Sequence, residues 1–451
     1  MKKETPHKGI TQFASGLPVF NPYAAGIDIG DTLMCVAVSD GKGGHLVKTT
    51  GGFTCDLQEI VDFLKTHHIS TVAMESTGVY WLALYLMLEE AGIEPYLVNA
   101  KHVKNVTGRK KDDTDAIWIQ KLHACGLLQK SYQPETQMRV LRDYTRQRRN
   151  LILLNSDAVR RMQKALELMN IKLHTVISDI LGKTGMSMIK AILAGERDVT
   201  VLSSLCDRRI KATPEEVKKS LQGVWKEEYL FMLEQALEHY EFHLKQIHKC
   251  EQKIQAQLLN QVAIIKEGDI TMLGEEAKKK AKTKPRKNEY SFDVAPYLNA
   301  LIGIDLNALP GINESALEFI AEVGTDMSKW KSYKHFCAWL NLAPNSKISG
   351  GKVLSSKRMK KKNKAGQILK QAASAISNSK EPLGDYYRKM RARLGGKGAV
   401  TATAHKLARI IYTMIINKQE YKPEIIVGND QKYKETKIKK LEKQIEKLKA
   451  A

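Results

Sequence analysis

Ala25–Val38 (AGIDIGDTLMCVAV) reads as two short strands joined by a turn at Gly30-Asp31. His45–Phe53 reads as a third strand, ended by Gly51-Gly52. Leu57–His67 carries Leu57, Ile60, Val61 and Leu64 at helical spacing, so one face is apolar. Thr71–Met74 is a short buried strand, Val79–Ala91 a helix closed by Gly92, Glu94–Val98 a strand and Asp112–Leu128 a helix. Residues 22–130 therefore run as three meandering strands, then helix, strand, helix, strand, helix.

That is the order of a ribonuclease H-like domain, although many α/β domains come close to it. The whole chain has 451 residues, too many for one ordinary domain. Hydrophobic residues make up 43%, enough to bury real cores and to exclude a wholly disordered chain. Lys and Arg number 72 against 49 Asp and Glu, a net charge of +23. So large a charge repels itself unless an anion neutralises it. Nucleic acid is the first partner this suggests and an anionic membrane surface the second. The 6 cysteines lack the close spacing of a zinc knuckle or a redox motif, which argues for a reducing compartment and against structural zinc. Met1–Phe13 has no apolar core to act as a secretory signal. The longest apolar run, Val79–Leu88, is far short of the roughly 18 residues a membrane span needs. The expectation is a soluble, cytoplasmic protein with no membrane partner.

Residues 131–296 read as helical. Arg142–Met169 holds a long helix, and Leu230, Leu233, Leu237, Tyr240, Leu244, Ile247, Ile254 and Leu258 follow a 3-4 spacing broken once, at Glu251. Four such heptads suggest a coiled coil that joins protomers; a long helix packed on its own domain carries the same stripe. Glu276–Lys287 is a basic, Pro-containing linker. Residues 297–419 are also mostly helical. There Leu309-Pro310-Gly311-Ile312 resembles the hairpin of a helix-hairpin-helix element, which aims backbone amides at a phosphate. Ser349–Lys364 (SGGKVLSSKRMKKKNK) is polar and densely basic. The tail, residues 420–451, repeats Ile438, Leu441, Ile445 and Leu448 over two marginal heptads. The fold class expected is α/β plus all-α.

Four carboxylates fall where the first domain would bring them together. Asp28 ends the first strand, Glu75 ends the strand TVAM, and Asp112 and Asp115 share one face of a helix's first turn. Clustered carboxylates repel one another unless cations occupy the site. Mg²⁺ or Mn²⁺ are hard ions that take carboxylate oxygens. Two such ions about 4 Å apart can activate an attacking oxygen and stabilise a leaving one in phosphodiester cleavage. Taken singly, each residue has a plainer reading: Asp28 as a turn residue, Glu75 near a helix cap, Asp112 as an N-cap, Asp115 as an answer to the helix dipole. Asp113 and Asp31 are the nearby alternatives. Arg109, Lys110 and Lys111, just before the acidic helix, could hold phosphates or form a solvated turn.

The pieces GIDIG, MESTGVYW, GRKKDDTDA, LPGI and LAPNSKISGGK occur in this order between about Ala25 and Ile415. In this the chain resembles the DEDD transposases of bacterial insertion sequences, of the IS110 type. Residues 108–116 match a family piece of the form G-R-K-T-D-x-x-D-A, with Lys111 in place of Thr. The resemblance puts the family's acidic quartet on Asp28, Glu75, Asp112 and Asp115, in a RuvC-like domain. It also implies a serine nucleophile in the C-terminal transposase domain. Of the two family serine positions the first is Ile348 here, so only Ser349 can carry that role. A hydroxyl is a weak nucleophile until a base or metal activates it. Two following glycines would let a phosphate approach the backbone. Lys352, Lys357, Arg358 and Lys360 would hold the strand, as Gly311 would in the hairpin.

The resemblance further implies a composite site in which the acids of one protomer meet the serine of another, within dimers that pair into a tetramer. It implies Mg²⁺ or Mn²⁺ as cofactor. The partners it implies are element-end and target DNA, and a structured non-coding RNA from the element that chooses the sites. It places the protein in the bacterial cytoplasm, acting at the nucleoid. Two other classes remain open: a metal-dependent junction-resolving endonuclease with water as nucleophile, and a non-catalytic nucleic-acid scaffold.

Overall fold

β1 (Ala24–Ile29) and β2 (Leu33–Ser39) form the first hairpin, antiparallel with Ile27 opposite Val36. Gly30 N–H donates to Leu33 O across the turn at 3.0 Å. β3 (His45–Gly51) continues the meander. Then come α1 (Thr54–Thr66), β4 (Thr71–Glu75), α2 (Trp81–Glu90), β5 (Glu94–Val98) and α3 (Asp115–Ala124). The sheet order is β3-β2-β1-β4-β5, with β1, β4 and β5 parallel. This computed structural model describes residues 18–76, 78–99, 115–265, 288–313, 315–344, 346–355 and 363–423, with positions 438, 442 and 446. It divides into two compact units, Met1–Gln133 and Pro134–Ala451.

Strand alternation sorts the sheet's two faces. Ile27, Ile29, Val36, Val72 and Met74 point one way, into a core with Leu57, Ile60, Val61 and Leu64 of α1 and Leu84, Tyr85 and Leu88 of α2. Ala73 and Val98 point the other way, against Ile119 and Leu122 of α3. Ala24 meets Ala124 and Cys125 on that second face. The residues there are small for a reason. A Cβ added to Gly26 would sit 2.2 Å from Gln120 N and 2.4 Å from Ala116 O, so α3 lies on bare backbone.

The second unit is built on two long helices, α4 (Thr136–Leu168) and α9 (Glu227–Ile265). They run antiparallel: Gln137 O accepts from Gln261, Tyr144 O from Cys250, and Arg148 pairs with Glu251. Between them lie α5 (Leu173–Val176), α6 (Lys183–Leu193), α7 (Val199–Ser204) and α8 (Pro214–Leu221), which close one core around Met162, Leu166, Ile189, Leu202, Leu233 and Leu237. Beyond α9 come α10 (Ala295–Ile302), a 3-10 turn (Leu306–Ala308), α11 (Ser315–Val323) and α12 (Tyr333–Trp339). They are followed by a hairpin, β6 (Lys347–Ser349) and β7 (Lys352–Ser355), then α13 (Lys364–Ala375) and α14 (Pro382–Asn417). Here a second core gathers Phe319, Phe336, Leu369, Leu407 and Ile411. The second unit holds the helices of residues 136–265 and those of residues 295–417 alike.

The stripe on α9 is used within the chain. Leu233 and Leu237 are buried in the first core, and Ile254 and Leu258 at the other end, while Leu244 between them is exposed. Glu251, where the stripe breaks, is itself buried, and its Oε1 accepts from Arg148 Nε at 2.7 Å. Its Oε2 accepts from Ser291 N–H, and the Arg148 guanidinium lies 3.6 Å from the Tyr290 ring centre and donates to Asn288 O. The polar break is a buried ion pair between helices, not a gap in packing. The basic linker 276–287 lies outside the described residues. Of the tail, positions 438, 442 and 446 are described, each helical.

Candidate active site

α3 runs antiparallel to β1. Ala124 sits by Ala24, and Ala116 and Gln120 sit over Gly26. From Ala24 to Asp28 the strand advances about 13 Å. From Ala124 back to Asp115 the helix advances about 13.5 Å. Asp115 therefore stands level with Asp28, and on the face Asp28 shares with Gly26 by alternation. Glu75 is two residues beyond Ala73 on that same face. Its strand pairs with β1 in parallel, and Ile27 opposite Met74 is the last pair before Asp28 and Glu75. Three acids named from the sequence thus lie on one side of the sheet at one end of it. Asp28 and Glu75 are half-buried and Asp115 is exposed. Asp31 lies in the exposed turn beyond β1. Asp112, Asp113, Arg109, Lys110 and Lys111 lie outside the described residues. Among the described residues, no three His, Cys, Asp or Glu side chains are gathered to hold a metal ion.

α3 is held at its far end by polar contacts that the sequence reading missed. Gln120 Nε2 donates to Ala24 O at 3.2 Å, and its Oε1 meets His45 Nε2 at 3.0 Å. His123 Nε2 meets Thr71 Oγ1 at 3.0 Å, with its ring against Tyr96. Burial pushes the His123 pKa down to about 4, with Glu94 opposing and Lys130 adding a little, so the ring is neutral at pH 7. The small residues Ala24, Gly26 and Ala73, recurring at alternate strand positions, were the readable sign that a helix would lie there.

Ser349 is in the second unit. It is the last residue of β6 and pairs with Lys352 across Gly350-Gly351. Both glycines have positive φ, 53° and 74°. A two-residue turn of that hand matches the twist of the flanking strands, and it favours glycine at both positions. Ser349 and Lys352 are exposed at the hairpin's tip. Lys357, Arg358 and Lys360 lie outside the described residues. Gly311 has a packing role: a Cβ there would lie 2.6 Å from Ile376 Cγ2 and 2.7 Å from Ala372 O.

Residues 25–171 match the family profile of DEDD transposases of the IS110 type, and residues 305–388 match the transposase family described as IS116/IS110/IS902. The chain belongs to the IS110-type transposases and is a DNA transposase. Its substrate is accordingly DNA, and the family implies a divalent metal. No curated protein matches the chain. No helix among the described residues is long and apolar enough to cross a membrane.

Proposed function

We propose that the protein cuts and rejoins the DNA of an insertion sequence through a covalent serine–DNA intermediate, in a ribonuclease H-like first domain and a serine-bearing C-terminal region acting together. The observation that carries the reading is the alignment of Asp28, Glu75 and Asp115 on one side and at one end of the sheet, with Asp112 three residues before Asp115. Their donors are carboxylate oxygens only, the set that hard divalent cations take, so the residues fit Mg²⁺ or Mn²⁺ in kind. A divalent cation bound there would supply Lewis acidity to the phosphate oxygens.

The chain's own residues do the rest. Ser349 Oγ attacks phosphorus, a P–O bond to Ser349 forms, and the P–O bond to the departing strand breaks. The departing strand leaves as a hydroxyl, taking up a proton as Ser349 gives one up. One phosphoester replaces another, so the bond energy is kept and the reverse step can rejoin DNA without an energy source. Water in place of Ser349 would release that energy and make cleavage final. Arg109, Lys110, Lys111, Lys352, Lys357, Arg358 and Lys360 are the basic residues that would hold DNA strands. Protomers assemble as dimers and tetramers, so that the acids of one meet Ser349 of another. An element-encoded RNA selects the sites.

The test is a denaturing gel of protein incubated with Mg²⁺, element-end DNA and RNA transcribed from the element's non-coding end. The wild type should give a protein–DNA adduct that resists denaturant, and Ser349→Ala and Asp28→Ala should give none. Free cleaved DNA without adduct, unchanged in Ser349→Ala, would instead mean a metal-dependent nuclease that uses water.

A further inference from the structure

The β6–β7 hairpin holds apolar side chains out to water. Ile348 and Val353 are cross-strand partners, so both lie on one side of the ribbon, and they are 63% and 61% exposed. Ser349 and Lys352 are the next pair toward the tip and lie on the other side by alternation. Lys347 pairs with Ser355, one residue out of register with the pair Ile348–Val353, which makes Leu354 the extra residue of a β-bulge. Leu354 is 70% exposed. One exposed apolar residue means little, but here three of the seven strand residues are apolar and open to solvent. A two-stranded hairpin is also marginal in water on its own. A partner that covered the apolar side would stabilise it.

The charge of the surrounding chain points to that partner. Residues 327–380, which contain the hairpin, hold 13 Lys and Arg and no Asp or Glu. Lys352 stands exposed at the tip. A second copy of the hairpin laid on the first would bring Lys352 toward Lys352, and like charges set opposite each other destabilise. DNA, the protein's substrate, matches both sides of the ribbon. Its phosphates suit the polar side with Lys352, and its sugars and base steps suit the apolar one. Ribbons of two strands enter DNA grooves, and branched apolar side chains that enter the minor groove part the base steps they meet.

We infer that Ile348, Val353 and Leu354 form an apolar wedge that enters the DNA and parts a base step, while the opposite side of the ribbon turns Ser349 and Lys352 to the backbone. The inference rests on the reading that the serine-bearing hairpin meets DNA, and adds to it a contact with the bases. The probe is element-end duplex DNA carrying 2-aminopurine, a base analogue that brightens when unstacked, at successive positions around the element end. It is assembled with the full chain, RNA from the non-coding end and Mg²⁺. Base fluorescence is read together with anisotropy across a range of potassium chloride. With the wild type, a single step should brighten about threefold as it unstacks. Ile348→Ser with Val353→Ser should abolish the brightening and weaken binding about tenfold. The slope of log K against log salt should stay as it was, since no phosphate contact is lost. Ile348→Met with Val353→Met keeps the side apolar and should restore the brightening.

A wild-type complex that does not brighten, or a serine variant that still does, overturns the inference. So does brightening of 2-aminopurine placed in the RNA and not in the DNA, which would make RNA the occupant. A smaller assembly of the free serine variant in sedimentation also overturns it, because a second copy would then be what covers the ribbon. The base signal needs no covalent bond. Loss of the serine–DNA adduct with the brightening kept would therefore strike the covalent step and support the wedge.

Discussion

His123 shows how one residue can set the position of a candidate site residue, Asp115, two helical turns away. It is buried and neutral, and it fixes the far end of α3, whose near end carries Asp115. An unfolded chain takes a proton at a histidine near pH 6.5, whereas the folded protein resists until about pH 4. Stability is therefore undiminished above pH 6.5, and falls as the pH drops from about 6.5 to about 4. The loss reaches about 3 kcal/mol. Urea unfolding at pH 7.5 and 4.5 should show that loss in the wild type, and about 3 kcal/mol less of it in His123→Phe. Equal losses in the two proteins would remove His123 as the cause. Nothing in the local sequence marked His123, because its burial comes from Thr71 and Tyr96, which reach it only through the folded sheet. Asp28 and Glu75 were legible because strand ends can be read from the apolar run before them.

At the scale of elements, the sequence stated which faces are buried but not what buries them. The 3-4 stripe on α9 is real, yet its partner within the chain is α4, and the residues that meet, such as Arg148 and Glu251, lie 103 positions apart. The break at Glu251 had no reading of its own, because its meaning depends on Arg148. That pair gives a sharp expectation. Arg148→Met leaves Glu251 buried without its ion partner and should cost about 3–5 kcal/mol, while Arg148→Met with Glu251→Leu should recover most of it. Equal destabilisation in the single and double variants, measured by urea unfolding, would contradict the pairing. The β6–β7 hairpin was hidden in the opposite way. Gly350-Gly351 between two short alternating runs is a hairpin signal, but the serines and lysines around it read as loop.

For the molecule as a whole, the order of strands and helices in the first unit could be read almost element by element, since each is short and local. The second unit resisted, because its shape depends on contacts far apart in sequence. Among the described residues its two cores are joined by α4 and α9, helices about 50 and 58 Å long. Between the cores, Leu154, Phe242 and Leu244 face outward and bury little. Over this stretch Leu151, Asn155 and Ala158 of α4 form a narrow buried seam, thin coupling between the two ends, so they should open as separate cooperative pieces. Hydrogen exchange on the intact protein should show amides near 238–249 exchanging first, with 162–237 and 295–417 protected to different degrees. A single exchange free energy across both cores would contradict this. An enzyme built so can loosen one end, whether to admit a strand or release one, without melting the other.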